Sequence, residues 1–237
     1  MPAHQFPGFP PEGIRFLRNL ERNNRREWFQ PRKEIFDTAV KAPMVALVEE
    51  INRGLARFAP EYITNPSQAI YRIYRDTRFS NDKTPYKTHI AASFRKRGYD
   101  KHAAGGLYFS ASHKEVEVAG GVYMPGPEQL RAIRGHIESN HAEFKKLISN
   151  AKLRKLVEDL KGESLSRVPK GFDAGHPAAE FLRMKQWLFY VSLDPSIATT
   201  TSMAKEVLDR FRAMIPVVEF LNAPMKPARV RAEDLLN

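Results

Sequence analysis

Between Leu107 and Val118 the spacing of apolar side chains falls to two. Leu107, Phe109 and Ala111 alternate with Tyr108 and Ser110, and Val116 and Val118 alternate with Glu115 and Glu117, across a short Ser112-His113-Lys114 connection. Alternation of this kind belongs to strands with one buried face, so the segment is predicted to be a β-hairpin. On both sides the period returns to three and four, the repeat of amphipathic helices. Helical segments grouped at both ends around a few strands, without βαβα alternation, predict an α+β fold. The expected architecture is a single domain with a small, mostly antiparallel sheet packed with N- and C-terminal helices.

The helices can be placed from the same spacing. Ile14, Leu17 and Leu20 predict a short helix that ends at Asn23-Asn24. Pro31 suits the first turn of a second helix, in which Ile35, Ala39, Pro43, Leu47, Ile51 and Leu55 recur every four residues, and Pro43 is expected to kink or split it. Gly120-Gly121 permits a bulge or bend before Pro125 and Pro127 open a helix with Leu130, Ile133 and Ile137 on one face. One further helix is expected from Phe144 to Leu160, a buried strand from Trp187 to Leu193, and a last helix from Met203 to Met214 that stops before Pro216.

With 237 residues and 42% hydrophobic content, residues 1–237 are expected to form one domain with ample core. Residues 1–11 would be an irregular arm and 224–237 a loose tail. Cysteine is absent, which excludes disulfides, thiolate metal sites and cysteine nucleophiles. The longest apolar run, Ala42 to Val48, is far short of the roughly 20 residues that cross a bilayer, so no membrane partner is expected. The N-terminus lacks a basic and an apolar region of the secretory kind, which predicts a cytoplasmic location.

The net charge of +11 is concentrated. Residues 65–102 hold nine cations and three anions, +6, whereas residues 1–64 carry +2 and residues 103–237 carry +3. A focused positive field draws anionic ligands, phosphates foremost. Within this stretch, RIYRDTRFSNDKTPYK at 72–87 interleaves charge with aromatic rings. As a strand it would put Arg72, Tyr74, Asp76 and Arg78 on one face and Arg75, Thr77 and Phe79 on the other; as a helix it would pair Arg72 with Asp76. Ser80 to Pro85 has turn composition, which places Lys83 and Tyr86 on a loop.

That string resembles the defining motif of a bacterial and fungal family of conserved proteins known only as a domain of unknown function, roughly 230 residues long. Lesser matches are NNRREWF at 23–29, GGVYMPGPEQLRAIR at 120–134 and VPKGFDAGHP at 168–177. The resemblance covers most of the chain and implies the extent of the domain; it implies no reaction.

Arginine offers planar paired donors to phosphate or carboxylate, and a lysine among arginines has its neutral form favoured by like charge. The expected site therefore takes Lys83, Tyr86 and Asp76 as catalytic candidates. Arg72, Arg75, Arg78, Asp82, Lys87 and Lys170 are the ligand-binding candidates, around a phosphorylated or carboxylated small molecule. The competing explanation is a structural ion-pair network that pins the loop to the body. A third possibility is a nucleic-acid-binding module with Tyr71, Tyr74, Phe79 and Tyr86 as stacking surfaces. Lys170-Gly171-Phe172 with Asp173 and His176 suits a turn, and Asn23, Asn24 and Trp28 suit a helix cap and a buried ring. Glu138 and His141 have carboxylate–histidine spacing but lack a second such pair, so no metal site is expected. No glycine-rich phosphate loop, serine elbow or zinc-protease helix is present, and no motif implies a particular cofactor.

Overall fold

Pro11 has the fixed φ that suits a first helical position, and the helix it opens, α1 (Pro11–Arg22), buries Phe16, Leu17 and Leu20 and stops at Asn23. The structure, a computed structural model, describes residues 5–99 and 104–227. Residues 5–10, ahead of α1, form no regular element, yet Phe6 and Phe9 are buried and the Phe9 N–H donates to the Ala198 carbonyl at 2.8 Å. Of the expected loose tail, residues 228–237 lie outside the described residues.

The helix expected from Pro31 is corrected at its start, where Pro31 lies in a 3-10 turn, and it is interrupted just before Pro43 as expected. After α2 (Arg26–Phe29) and a 3-10 turn over Gln30–Arg32 come α3 (Lys33–Phe36), a π-helical stretch Asp37–Lys41, and α4 (Ala42–Leu55). A proline ring collides with the carbonyl four residues back in an α-helix, and here the wider π turns precede Pro43, which sits in the first turn of α4. The carbonyl in question belongs to Ala39. A side chain at Gly13 would have its Cβ 2.1 Å from that oxygen, so only glycine lets α1 approach so closely.

After α5 (Pro66–Ala69) and the stretch 70–89 come β1 (Ile90–Arg95), β2 (Gly106–Ala111) and β3 (Val116–Val122). Then follow α6 (Pro127–Ser139), α7 (His141–Ile148), α8 (Ala151–Leu156), α9 (Ala179–Leu182), β4 (Trp187–Leu193) and α10 (Met203–Asn222). The strands make one antiparallel sheet in the order β1-β2-β3-β4, and the fold class is α+β. The hairpin turn closes where expected: the Ser112 N–H donates to the Glu115 carbonyl at 3.0 Å, and the Ser112 hydroxyl accepts from the N–H groups of Lys114 and Glu115.

Three expectations are corrected. The helix from Phe144 to Leu160 is two helices, because Asn150 caps a fresh start by accepting from the N–H groups of Lys152 and Leu153. β4 is an edge strand, buried only at Trp187 and Phe189 on its inner face. The last helix does not stop before Pro216. It runs to Asn222 because Val217, Val218 and Leu221 beyond the proline are buried, and that packing outweighs a cost of about 3 kcal/mol.

The chain divides into two compact units. The first comprises the residues up to Phe94, Leu107–Ala119 and Val191–Arg212; its core includes Phe94 against Phe109 and Phe211, and Gly54 against Leu208. The second comprises Arg95–Gly106, Gly120–Tyr190 and the residues from Ala213 on. There Phe144 meets Phe181 and Phe220, and the Asn222 amide bonds both backbone groups of Gly105. No helix among the described residues is long and apolar enough to cross a membrane.

Candidate functional site

Residues 70–92 lie in the first unit, and from 70 to 89, ahead of β1, they are neither of the regular elements that periodicity allows. They form an irregular antiparallel ladder. Tyr74 bridges Tyr86, with the Arg75 N–H on the Pro85 carbonyl at 2.9 Å and the Lys87 N–H on the Ile73 carbonyl at 2.7 Å. Farther down, Ile70 bridges Ala92 and the Tyr71 N–H reaches the Ala91 carbonyl at 2.9 Å. Between the two sets of pairs one side holds only Arg72 while the other holds Thr88, His89 and Ile90, so the ladder carries a two-residue bulge at Thr88-His89. Bulges re-aim side chains and interrupt a strand's face.

At the tip each carboxylate takes an arginine: Asp76 takes one of the two that a strand would put on its face, and Asp82 takes one from across the turn. Asp76 receives Arg78 in a forked pair, Nε on Oδ1 at 3.0 Å and a terminal nitrogen on Oδ2 at 2.7 Å. Asp82 receives Arg75, which also donates to the Thr84 hydroxyl. Arg78 holds the Asp76 carboxyl down to about 2, and Arg75, with help from Thr84, does the same for Asp82. Lys83 donates to the Thr77 carbonyl at 2.9 Å. Among the described residues Arg72, Lys83 and Lys87 have no carboxylate partner. Phe79 stands at the tip 95% exposed with the Arg78 guanidinium 5.6 Å from its ring centre. Tyr74 and Tyr71 are 49% and 38% exposed, and the Lys87 ammonium lies 5.0 Å from the Tyr71 ring centre.

Tyr86 sits elsewhere, in the Tyr74–Tyr86 pair below the tip and 1% exposed. Its ring stacks on Phe29 at 4.1 Å and 17°, within a cluster that includes Phe16, Trp28, Phe36 and Tyr74. Burial pushes its hydroxyl pKa up. The Asn24 side chain clamps its backbone, accepting from the Tyr86 N–H at 3.0 Å and donating to the Tyr86 carbonyl at 2.9 Å. The segment 23–29 and the segment 72–87 are thus one construction. Lys170 belongs to the second unit, on an exposed turn where Gly171 has a φ of +95°. In that unit Glu138 accepts the Asp173 N–H at 3.4 Å and the His141 ring lies 5.0 Å from the His176 ring. No group of three histidine or carboxylate side chains among the described residues could hold a metal ion.

Sequence reasoning missed a second polar cluster in the first unit. Tyr108, Ser110, Glu115 and Glu117 share the face of the hairpin opposite Leu107, Phe109, Val116 and Val118, with Ser110 buried, and the Glu115 carboxylate accepts from the Ser192 hydroxyl. Tyr71 meets Tyr108 with ring centres 6.3 Å apart. Burial lowers the pKa of Lys87, with Arg72 adding to it, and lowers that of His89, with Lys87 adding to it. Burial raises Glu117, with Glu115 adding to it, and pushes Tyr108 up to about 12. The alternation at 107–118 already showed that these side chains share a face; it could not show that Tyr71, Lys87 and His89 lie beside them.

The family model described as conserved hypothetical protein, DUF2461, matches residues 12–220. No curated protein and no solved structure matches the chain.

Proposed function

The chain belongs to the DUF2461 family of conserved hypothetical proteins, and we propose that the ladder over residues 70–92 makes it a binder of single-stranded nucleic acid. The observation that carries this reading is Phe79, almost fully exposed at the tip of a basic loop with Arg78 against it. Base stacking on an exposed ring contributes about 1–3 kcal/mol and tolerates any sequence. Tyr74 and Tyr71 offer two more rings along the ladder, and Arg72, Lys83 and Lys87 supply cations that no carboxylate among the described residues has claimed. Arg75 and Arg78 are already bound to Asp82 and Asp76 and serve to hold the tip in shape. Tyr86, being buried, anchors the ladder and does not stack on a base.

The test is fluorescence anisotropy with a labelled oligonucleotide as salt rises from 50 to 200 mM. Three neutralised phosphates predict a log–log slope of about −2. Phe79→Ala should weaken binding about tenfold and leave the melting temperature unchanged. Absence of binding at 50 mM salt, or full affinity in Phe79→Ala, would overturn the reading. One observation favours a second reading, a phosphorylated or carboxylated small anion: Lys87 is half-buried beside Arg72, where a bound phosphate would relieve their repulsion. Thermal stabilisation by inorganic phosphate that vanishes in Lys87→Met, without nucleic-acid binding, would select it.

A further inference from the structure

A second basic stretch precedes the ladder in the chain. Residues 23–33 hold four cations and one anion, +3, while residues 1–64 as a whole carry +2, so the rest of that region is slightly acidic. Both stretches lie in the first unit, and printed contacts join them. The Asn24 side chain bonds both backbone groups of Tyr86, and the Phe29 ring lies 4.1 Å from Tyr86 and 6.4 Å from Tyr74. The Gln30 side chain bonds the Tyr86 hydroxyl, which also lies in the field of Arg26. Arg26 and Gln30 are four apart on continuous helical backbone and share a face, so Arg26 stands at the edge of the Tyr74–Tyr86 pair, where Tyr74 is half exposed. One turn on, the Arg32 guanidinium lies 4.7 Å from the centre of the Trp28 ring and donates to the Trp28 carbonyl at 3.1 Å. Arg32 is exposed, so a guanidinium held against one ring has its other side free to receive a base. Neither Arg26 nor Arg32 pairs with a carboxylate among the described residues.

We propose that the nucleic-acid surface continues from the ladder onto α2 and the turn after it, where Arg26 takes a phosphate and the Arg32–Trp28 stack takes a base and a phosphate of the same strand. The inference rests on the nucleic-acid reading and adds a substrate class to it: an unpaired strand long enough to pass from Phe79 by way of Tyr74 to Trp28, in preference to short ends and to duplex. Charge selects a polyanion as the occupant, because the +3 of residues 23–33 adjoins the +6 of residues 65–102, and the two stretches together account for +9 of the net +11. A small anion has no use for both stretches at once. The rings exclude a duplex, whose bases are paired and stacked inside and offer no face to Phe79, Tyr74 or Arg32. Arg32 is also pre-organised, since its ring contact and backbone bond already restrict the side chain and less freedom is lost when a strand binds.

The experiment titrates the full chain with labelled single strands of about four and about ten nucleotides, and with a duplex of the longer length, across the same range of salt. The short strand, with three phosphates, should give a log–log slope of about −2, and the long one, neutralised at two further arginines, about −3.5. The double variant Arg26→Gln/Arg32→Gln should return the long strand to a slope of about −2 with at least about tenfold weaker binding, and should leave the short strand and the melting temperature unchanged. Equal slopes for the two lengths overturn the inference and leave the ladder reading standing. So does a double variant that binds the long strand as the wild type does, or that weakens both strands equally, and so does a duplex bound as tightly as the long single strand. No binding of either single strand overturns both readings. The two wild-type slopes decide the matter even if the double variant fails to fold.

Discussion

Tyr86 is where a chemical role and a structural role make opposite predictions. Its hydroxyl-bearing ring is buried at 1% exposure and stacked 4.1 Å from Phe29. Truncating a buried aromatic side chain costs about 3–5 kcal/mol, and a stacked pair adds about 1 kcal/mol that is lost with it. For Tyr86→Ala we expect a loss of about 4 kcal/mol. In a chain of 237 residues each kcal/mol moves the melting temperature by about 2–4 °C, which predicts a fall of about 8–16 °C. Tyr86→Phe keeps the ring and gives up only a hydroxyl that bonds the Gln30 side chain on an exposed residue, a change of at most about 1 kcal/mol. Thermal melting and oligonucleotide binding are measured on both variants. Tyr86→Phe should bind as the wild type does. A Tyr86→Ala variant melting within about 2 °C of wild type would refute the packing argument. A Tyr86→Phe variant that melts normally but has lost binding would place the hydroxyl in the chemistry instead.

The clamp on Tyr86 predicts that Asn24→Ala, which deletes two hydrogen bonds of 2.9 and 3.0 Å to its backbone, costs about 2 kcal/mol by urea denaturation; a change under about 0.5 kcal/mol would show that the ladder holds without it. Gly121 has a φ of +136° and an added Cβ would lie 2.1 Å from the Trp187 carbonyl oxygen, so Gly121→Ala should cost about 3 kcal/mol. Gly135, inside α6 with open space around it, should instead gain about 0.5–1 kcal/mol as alanine, and equal effects at the two positions would contradict the strain argument. Asp76 and Asp82 have pKa values of about 2 in the folded chain, below the ordinary carboxylate value, so their pairs stabilise the tip fully above about pH 4 and lose that contribution as pH falls toward 2. Proton NMR of the loop should place both titrations near 2, and midpoints near 4 would show that the pairs do not form in solution. Lys83 bonds only a backbone carbonyl on an exposed loop, so Lys83→Met should change stability by less than about 1 kcal/mol while lowering the salt slope of oligonucleotide binding by about 0.7.

Local periodicity determined the hairpin at 107–118, the helices that begin at Pro11 and Pro127, and hence the α+β class, because a buried face imposes its repeat wherever one side of an element meets the core. It could also place the excess charge in residues 65–102, since net charge needs no structure. The two prolines had opposite outcomes, an interruption at Pro43 as expected and a helix running through Pro216 against expectation. At Pro43 the helix is accommodated by π turns, and at Pro216 it continues because the residues beyond are buried, and neither outcome is written in the spacing. In the stretch 72–87 only tertiary structure decided which arginine takes which carboxylate. A turn brought Asp82 back to Arg75 across seven positions, and of the two arginines that spacing offered Asp76 it was Arg78, not Arg72, that formed the ion pair. The same holds for Phe79 and Tyr86, two aromatic residues seven apart in one motif. One stands in solvent and the other is buried because Asn24 and Phe29, some sixty positions away, reach the ladder at the Tyr74–Tyr86 pair and not at its tip. Contacts between distant segments depend on how the elements pack, and packing is a property of the whole chain that no window of sequence contains.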